Sequence, residues 1–64
     1  MANWKDFRFF DEETGEDFFV EIDCDATEDP TADSYAIAEE NFSDPQLTGI
    51  YDPEYAEMLG LDTY

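Results

Sequence analysis

Carboxylates are the side chains of this sequence that could do chemistry. Asp and Glu supply 19 of the 64 residues, beside two basic residues, one Cys and no His. A nucleophile needs a base to activate it, and phosphate needs a Gly-rich loop to hold it; the chain offers neither. Paired carboxylates can act as acid and base only in a cleft that desolvates one of them, and a chain this short rarely forms one. We therefore expect no enzymatic activity and no cofactor.

One acidic segment looks like a catalytic motif. The residues Asp23 to Thr27, DCDAT, follow the apolar run FFVEI. They resemble the DxDxT motif of haloacid-dehalogenase-type phosphatases, in which the first Asp, here Asp23, would be the nucleophile. Those enzymes need a much longer doubly wound sheet and further motifs, which this chain lacks. Cys24, inside the motif, is expected to be a small core residue rather than a nucleophile, because the chain has no base to activate it.

The same segment has the oxygen spacing of a calcium loop. Oxygen-bearing side chains recur at every second position, at Asp23, Asp25, Thr27 and Asp29. An EF-hand loop also needs Gly at its sixth position and Glu at its twelfth, and Glu28 and Ser34 stand there instead. We expect a solvated acidic turn that caps a helix, and no metal site.

The elements that carry these acids begin with a β-hairpin from Trp4 to Asp25. A two-residue turn at Thr14-Gly15 predicts a register that pairs Phe10 with Phe19, Phe9 with Val20, Arg8 with Glu21, and Phe7 with Ile22. Since side chains alternate across a strand, one face carries Phe7, Phe9, Phe18, Val20, Ile22 and Cys24, and the other carries Asp6, Arg8, Glu21, Asp23 and Asp25. A longer loop with Gly15 in a left-handed bulge would shift the pairing by one residue and scatter the aromatic residues over both faces. We therefore favour the first register.

Two helices and a third strand follow the hairpin. The pair Asp29-Pro30 is typical of a helix start, and helical spacing of apolar residues predicts a helix from about Pro30 to Phe42. The segment Gln46 to Tyr51 suits a short strand. Asp52-Pro53-Glu54 then begins a second helix of about two turns, which Gly60 ends. In the tail, Leu61 or Tyr64 could pack against the sheet, or the tail could fray.

These elements predict one α+β domain over residues 1–64, in the order β-β-α-β-α. A small antiparallel sheet is built on the N-terminal hairpin, and both short helices cover its Phe7/Phe9/Val20/Ile22 face. The apolar share of 42% and the aromatic share of 17% are too high for a disordered acidic tail. We expect a folded protein of marginal stability.

The net charge of -17 is larger than folding or solubility requires. A magnitude of about 2 to 8 suffices for solubility, and self-repulsion at this level works against the compact state. Any single acid could simply be a solvating side chain, but the total negative charge predicts a binding surface for a basic partner. The candidate acids surround the hairpin and the first helix: Asp11, Glu12, Glu13, Glu16, Asp17, Glu21, Asp23, Asp25, Glu28, Asp29, Asp33, Glu39 and Glu40.

Alternate residues on a strand lie about 6.6 Å apart, so Glu21, Asp23 and Asp25 would form a row of negative charge. A DNA strand carries a phosphate every ~3.4 Å, and acids from neighbouring elements would bring the row close to that density. Aromatic residues on the charged face could anchor the contact by burial in the partner; the candidates are Trp4, Phe10, Phe19, Tyr51 and Tyr55. They could equally pack within the protein, with Phe10 and Phe19 as a cross-strand pair.

The partner that fits such a surface is a basic nucleic-acid-binding protein, whose cleft the acids would occupy in place of DNA or RNA. Nucleic acid itself and anionic membranes would be repelled. The N-terminus has no secretory h-region and no apolar run has the length of a membrane span, so a cytoplasmic location is expected. A monomer or a weak dimer is expected, because two chains would double the repulsion.

The length, the acidity and the aromatic content, with TGEDFFVEID in a hairpin and DPEYAEMLGLDTY at the end, resemble the small phage-encoded inhibitors that mimic nucleic acid, anti-CRISPR proteins in particular. The resemblance covers composition and architecture, and no position-specific motif supports it. It implies an inhibitor that binds a Cas effector subunit where target DNA is gripped. Two alternatives stay open. One is a mimic aimed at a restriction, repair or nucleoid protein, and the other is a structural or assembly protein of a phage or a toxin-antitoxin system.

Overall fold

The structure is a computed structural model that describes residues 2–64. Its elements are β1 (Trp4–Asp11), β2 (Asp17–Asp23), α1 (Pro30–Asn41), β3 (Pro45–Tyr51), α2 (Pro53–Leu59) and β4 (Asp62–Thr63). They form one sheet in the order β3-β1-β2-β4, in which β1 is antiparallel to both β2 and β3, and β4 is parallel to β2. The predicted α+β class, hairpin and β-β-α-β-α order are confirmed, and β4 is an addition.

The strand pairing in the hairpin is shifted by two residues from the predicted register. Phe7 faces Val20 and Phe9 faces Phe18. The loop is longer than a two-residue turn, because the Asp11 amide donates to the Glu16 carbonyl at 2.8 Å and the Gly15 amide donates back to the Asp11 carbonyl at 2.7 Å. Gly15 has a φ of 77°, which suits a residue without a side chain. The predicted pairing is therefore wrong, but the predicted faces are right, because a shift of two residues leaves every side chain on its side of the sheet.

One face of the sheet packs under α1. The buried cluster there contains Phe7, Phe9, Phe18, Val20, Ile22 and Ala38, and Cys24 packs against it as the sequence predicted. Phe18 is the centre of an aromatic group, with ring centroids 5.7 Å from Phe9, 3.9 Å from Phe42 and 5.3 Å from Tyr64. The tail is thus held to the sheet by Tyr64, which is one of the alternatives that the sequence left open.

The opposite face of the sheet is covered by α2, so the expectation that both helices lie on the Phe7 face is wrong. Phe19 is fully buried there, with Tyr51 across from it at 6.0 Å between ring centroids, and Tyr55 stacks on Tyr51 at 5.2 Å. The predicted Phe10 and Phe19 pair does not form, because Phe10 faces Asp17.

The handedness of the connections between parallel strands explains why α2 lies on the face of the sheet opposite to α1. The chain passes from β2 to the parallel strand β3 in one direction across the sheet, with α1 on the first face. From β3 to β4 it passes back in the other direction. Crossovers between parallel strands are almost always right-handed, so reversing the direction moves the connecting helix to the opposite face.

Local signals set the helix ends. The Asp29 carboxylate accepts a hydrogen bond from the Ala32 amide at 3.2 Å, as an N-cap does, and Pro30 follows it. Gly60 ends α2 in the left-handed conformation with a φ of 70°. Asp52 precedes α2 but makes no capping hydrogen bond with its side chain.

Candidate acidic binding surface

Both basic side chains of the chain are already bound to carboxylates. Lys5 pairs with Asp52, and the Arg8 guanidinium donates to both oxygens of Asp17, at 2.6 Å for the shortest contact. Hydrogen bonding to Asp52 raises the pKa of Lys5, and hydrogen bonding to Asp17, with a smaller contribution from Tyr51, raises the pKa of Arg8. Subtracting these two pairs from the 19 acids leaves 17 carboxylates with no basic side chain of this protein beside them.

Two of the predicted surface acids have structural roles instead. Asp11 is fully buried, and its carboxylate accepts hydrogen bonds from the Glu13 amide at 3.0 Å and the Thr14 hydroxyl at 3.2 Å, so it organises the hairpin loop. Asp17 is half-buried under its ion pair with Arg8. Asp11 is thus engaged in the hairpin loop and Asp17 in an ion pair, so these two carboxylates are less open to a partner than the other predicted acids.

The other eleven predicted acids lie at the surface. Asp23 is half-buried and ten are exposed: Glu12, Glu13, Glu16, Glu21, Asp25, Glu28, Asp29, Asp33, Glu39 and Glu40. The predicted row on one strand is shorter than expected, because β2 ends at Asp23 and Asp25 lies in the turn that follows. Asp23 is held in place by accepting hydrogen bonds from the amides of Asn3 and Asp25, at 3.0 and 3.1 Å.

These acids gather at the two ends of β2. The loop group consists of Glu12, Glu13 and Glu16, and the Glu12 amide also donates to the carbonyl of Asp44 at 3.3 Å, which brings a further exposed acid to that end. The groove group consists of Glu21, Asp23 and Asp33, which line one groove at the other end. Asp17 and Asp23 are six residue steps apart along β2, so the two ends that carry these groups lie about 20 Å apart.

Exposed acids on α2 and β4 were missed by the sequence reasoning. Glu54, Glu57 and Asp62 are all exposed, and they extend the negative surface over the second face of the molecule. The Asp52-Pro53-Glu54 helix start placed Glu54 in a first turn, but nothing in the sequence showed which face of the sheet α2 would cover.

Asp6 is the second buried acid that sequence reasoning misplaced, since it was expected on the charged outer face. It is only 5% exposed, and its Oδ1 has no hydrogen-bond partner among the described residues. Burial is the main cause that raises the pKa of Asp6, and the neighbouring Glu21 carboxylate raises it further. Both residues line a cavity of about 370 Å³ between the sheet and α2, to which Ala56 and Glu57 also contribute.

The candidate aromatic anchors divide into inner and outer residues. Phe19 is buried and Tyr51 is half-buried, so these two pack within the protein. Trp4 is 47% exposed, and Phe10 and Tyr55 are exposed as well. The three exposed rings remain available to a partner.

Metal-ligand clusters and membrane-spanning helices are both absent among the described residues. Among residues 2–64, no three or more of the His, Cys, Asp and Glu residues come together in a way that could hold a metal ion. Over the same part of the chain, no helix has the length and apolar character needed to cross a membrane.

Comparison of the chain with protein-family models, with curated proteins and with solved structures finds no match. The function is therefore inferred from the surface itself.

Proposed function

We propose that this protein is an inhibitor that occupies a basic nucleic-acid-binding surface of another protein and excludes DNA or RNA from it. The observation that carries the proposal is the set of 17 carboxylates without a basic side chain beside them. A fold that needed charge only for solubility would balance much of it internally, whereas a cleft lined by Lys and Arg supplies the missing cations from outside.

The dimensions of the molecule support this function. Its longest axis is 36 Å, close to the ~34–36 Å of one turn of B-DNA. The loop group and the groove group lie about 20 Å apart along β2, so a basic channel that follows a phosphate backbone could contact both. Exposed acids on both faces of the sheet give attraction from several directions, which speeds association with a cationic surface.

A Cas effector is the particular target that we favour, which makes the protein an anti-CRISPR inhibitor. Such effectors hold the guide-target heteroduplex in a positively charged channel and read a short duplex motif with Arg side chains. An acidic domain of 64 residues is small enough to enter such a channel. Another DNA-binding protein with an exposed basic cleft, such as a restriction, repair or nucleoid protein, would offer the same chemistry.

One observation favours a different function, that of a structural or assembly protein. The outer side of α2 carries Tyr55, Met58 and Leu59, all exposed, with Met58 at 82%. A partner that covered this apolar strip would bind through hydrophobic contact rather than through charge, and its binding would hold or strengthen as salt rises.

The test is a pull-down with the tagged protein from a host lysate in ~0.1 M NaCl, eluted stepwise to ~1 M and identified by mass spectrometry. We expect a nucleic-acid-handling complex in the salt steps, because screening weakens contacts between exposed charges. Added duplex DNA should displace the same complex. A partner that resists both salt and DNA would overturn the proposal in favour of an apolar interface.

A matched pair of variants sharpens this test. Replacing Glu12, Glu13 and Glu16 of the loop group by Gln removes three exposed charges without touching the core, and it should weaken capture. Met58→Ser removes exposed apolar surface from α2, and it should leave capture by a basic cleft unchanged. The reverse pattern would indicate the assembly function.

A further inference from the structure

A shallow groove of about 430 Å³ opens at the end of β2 that carries the groove group. Its apolar lining comes from Trp4, Ile22, Ala36 and Ile37. Trp4 leaves nearly half of its surface to solvent, and Ala36 on α1 is exposed beside it. The groove therefore presents an open indole ring next to aliphatic side chains.

Carboxylates surround this apolar lining. Glu21 and Asp33 are exposed, and Asp23 is fixed by its two backbone hydrogen bonds. Neither basic residue of the protein neutralises them, because Lys5 is engaged by Asp52 and Arg8 by Asp17. The groove therefore combines apolar surface with negative charge that is not balanced from within.

From this combination we infer that the groove is the anchoring site of the protein and that it binds an arginine side chain presented by the basic partner. The inference rests on the function proposed above, and it adds the place and the chemistry of the main contact. The guanidinium group would lie on the face of Trp4 and donate to the carboxylates, while the aliphatic stem of the arginine would lie along Ile22 and Ile37.

Arginine suits this groove better than lysine for two reasons. Its planar guanidinium group stacks on an indole face while its five donors still reach carboxylates in the plane of the group. Its charge is also more weakly hydrated than that of an ammonium group, so it leaves water for a partly apolar site at a smaller cost. Both side chains carry long apolar stems that can cover aliphatic surface, so the stem gives no preference.

The volume of the groove favours a protein segment over a free small cation. Sites of about 300 Å³ or more take ligands well above the size of one ammonium ion. The occupant is therefore an arginine together with part of the chain that carries it. A phosphate-bearing ligand is excluded by the three carboxylates, since like charges in one site repel.

Trp4 is the single tryptophan of the chain, so its fluorescence reports on the groove alone. The probe is the uncharged-end peptide acetyl-Gly-Arg-Gly-Arg-Gly-amide, titrated in ~0.15 M NaCl beside its Lys counterpart. We expect a saturable change in the Trp4 emission with both peptides. The Arg peptide should bind more tightly by up to about fivefold, since that is the whole worth of an exposed cation-π contact and the ammonium group of Lys makes part of it.

Asp33→Asn and Glu39→Gln form the matched pair for this titration. Each removes one negative charge from an exposed position of α1, but only Asp33 lines the groove. Glu39 does not line the groove and lies about 9 Å further along the helix than Asp33. Asp33→Asn should weaken the Arg peptide about two- to fivefold, as loss of an exposed ion pair does, and Glu39→Gln should leave it unchanged. An equal effect of both variants, or a titration that does not saturate, would overturn the inference.

Trp4→Ala in the lysate pull-down separates this inference from the proposed function. If the wild-type protein captures a nucleic-acid-handling complex and Trp4→Ala captures it equally well, the inhibitor function stands and the arginine anchor fails. If the wild-type protein captures no such complex, the proposed function itself fails. Circular dichroism of Trp4→Ala confirms that the variant is folded, which is expected because Trp4 lies outside the buried core.

Discussion

Asp6→Asn should stabilise this protein at neutral pH, although it replaces a buried residue. The Asp6 carboxylate is held between the sheet and α2, and no described residue offers a hydrogen-bond partner to its Oδ1. The titratable side chains around it are Glu21 and Tyr51, its neighbours on β2 and β3, and Glu57 on α2. The basic residues on either side of it in β1 are bound to other carboxylates. The folded state therefore holds a buried carboxyl group that has no basic side chain available to pair with it.

The size of the effect follows from the cost of leaving a buried polar group unpaired, about 1–3 kcal/mol or more for a charged group. The amide of Asn removes the charge and the repulsion from Glu21, but it still has polar atoms to satisfy. We therefore expect a gain near the lower bound, about 1 kcal/mol. For a domain of this size that corresponds to a rise in Tm of roughly 4–8 °C.

The pH dependence gives the same residue a second, independent signature. The pKa of Asp6 is raised in the folded state above its ordinary value of 3.8. Its protonation therefore contributes stability that is complete below pH 3.8 and is lost as the pH rises through the folded-state pKa. Wild-type stability should rise on acidification through that window, and Asp6→Asn, which cannot titrate, should show a smaller rise.

Thermal unfolding followed by circular dichroism, at intervals from pH 7 to pH 4 and at low protein concentration, measures both signatures. Glu13→Gln is the control, since it removes one charge from an exposed loop position and reports the general relief of self-repulsion. A lower Tm for Asp6→Asn than for Glu13→Gln at pH 7 would refute the reasoning, because it would mean that the Asp6 carboxylate makes a stabilising contact.

Three further predictions concern stability. Raising NaCl to ~0.5 M should raise the Tm by screening the net charge of -17, and an unchanged Tm would contradict strong self-repulsion. Phe18→Ala should remove about 3–5 kcal/mol by opening a cavity among Phe9, Phe42 and Tyr64. Because 64 residues are expected to supply only about 3–10 kcal/mol in all, circular dichroism should show much of that variant unfolded at 25 °C, and a cooperative transition near the wild-type Tm would contradict the packing. Asp29→Ala should cost about 1 kcal/mol through loss of the α1 N-cap, while Asp29→Ser, a good capping residue, should retain most of the stability in urea unfolding.

Sequence patterns predicted much of the fold because their signals are local. Alternation in the hairpin placed Phe7, Phe9, Phe18, Val20 and Ile22 on one face, and the structure buries all five together. The residue pairs at Asp29-Pro30 and Asp52-Pro53 marked both helix starts. Each of these signals acts over a few residues, so it needs no knowledge of distant partners.

The net negative charge of the candidate surface could be predicted from the sequence, but the individual acids that form the surface could not. The excess of acids over bases is a property of composition, and no packing arrangement could neutralise 19 acids with two bases. Contacts between distant segments decide which acids are buried or bound within the fold. Asp11 is used by the hairpin loop, Asp17 by Arg8, and Asp6 is covered by a helix that follows it by more than forty residues.

The amino-acid sequence by itself determined the charge, the element order, the two faces of the hairpin and the ends of the helices. The tertiary structure decided the strand register, the placement of α2 and the groove beside Trp4. Side-chain alternation along a strand has a period of two, so registers that differ by two residues place the same side chains on each face. Only the hairpin loop and the packing of the core decide between these registers. The face that α2 covers follows from the direction in which the chain crosses the finished sheet, which no local pattern records.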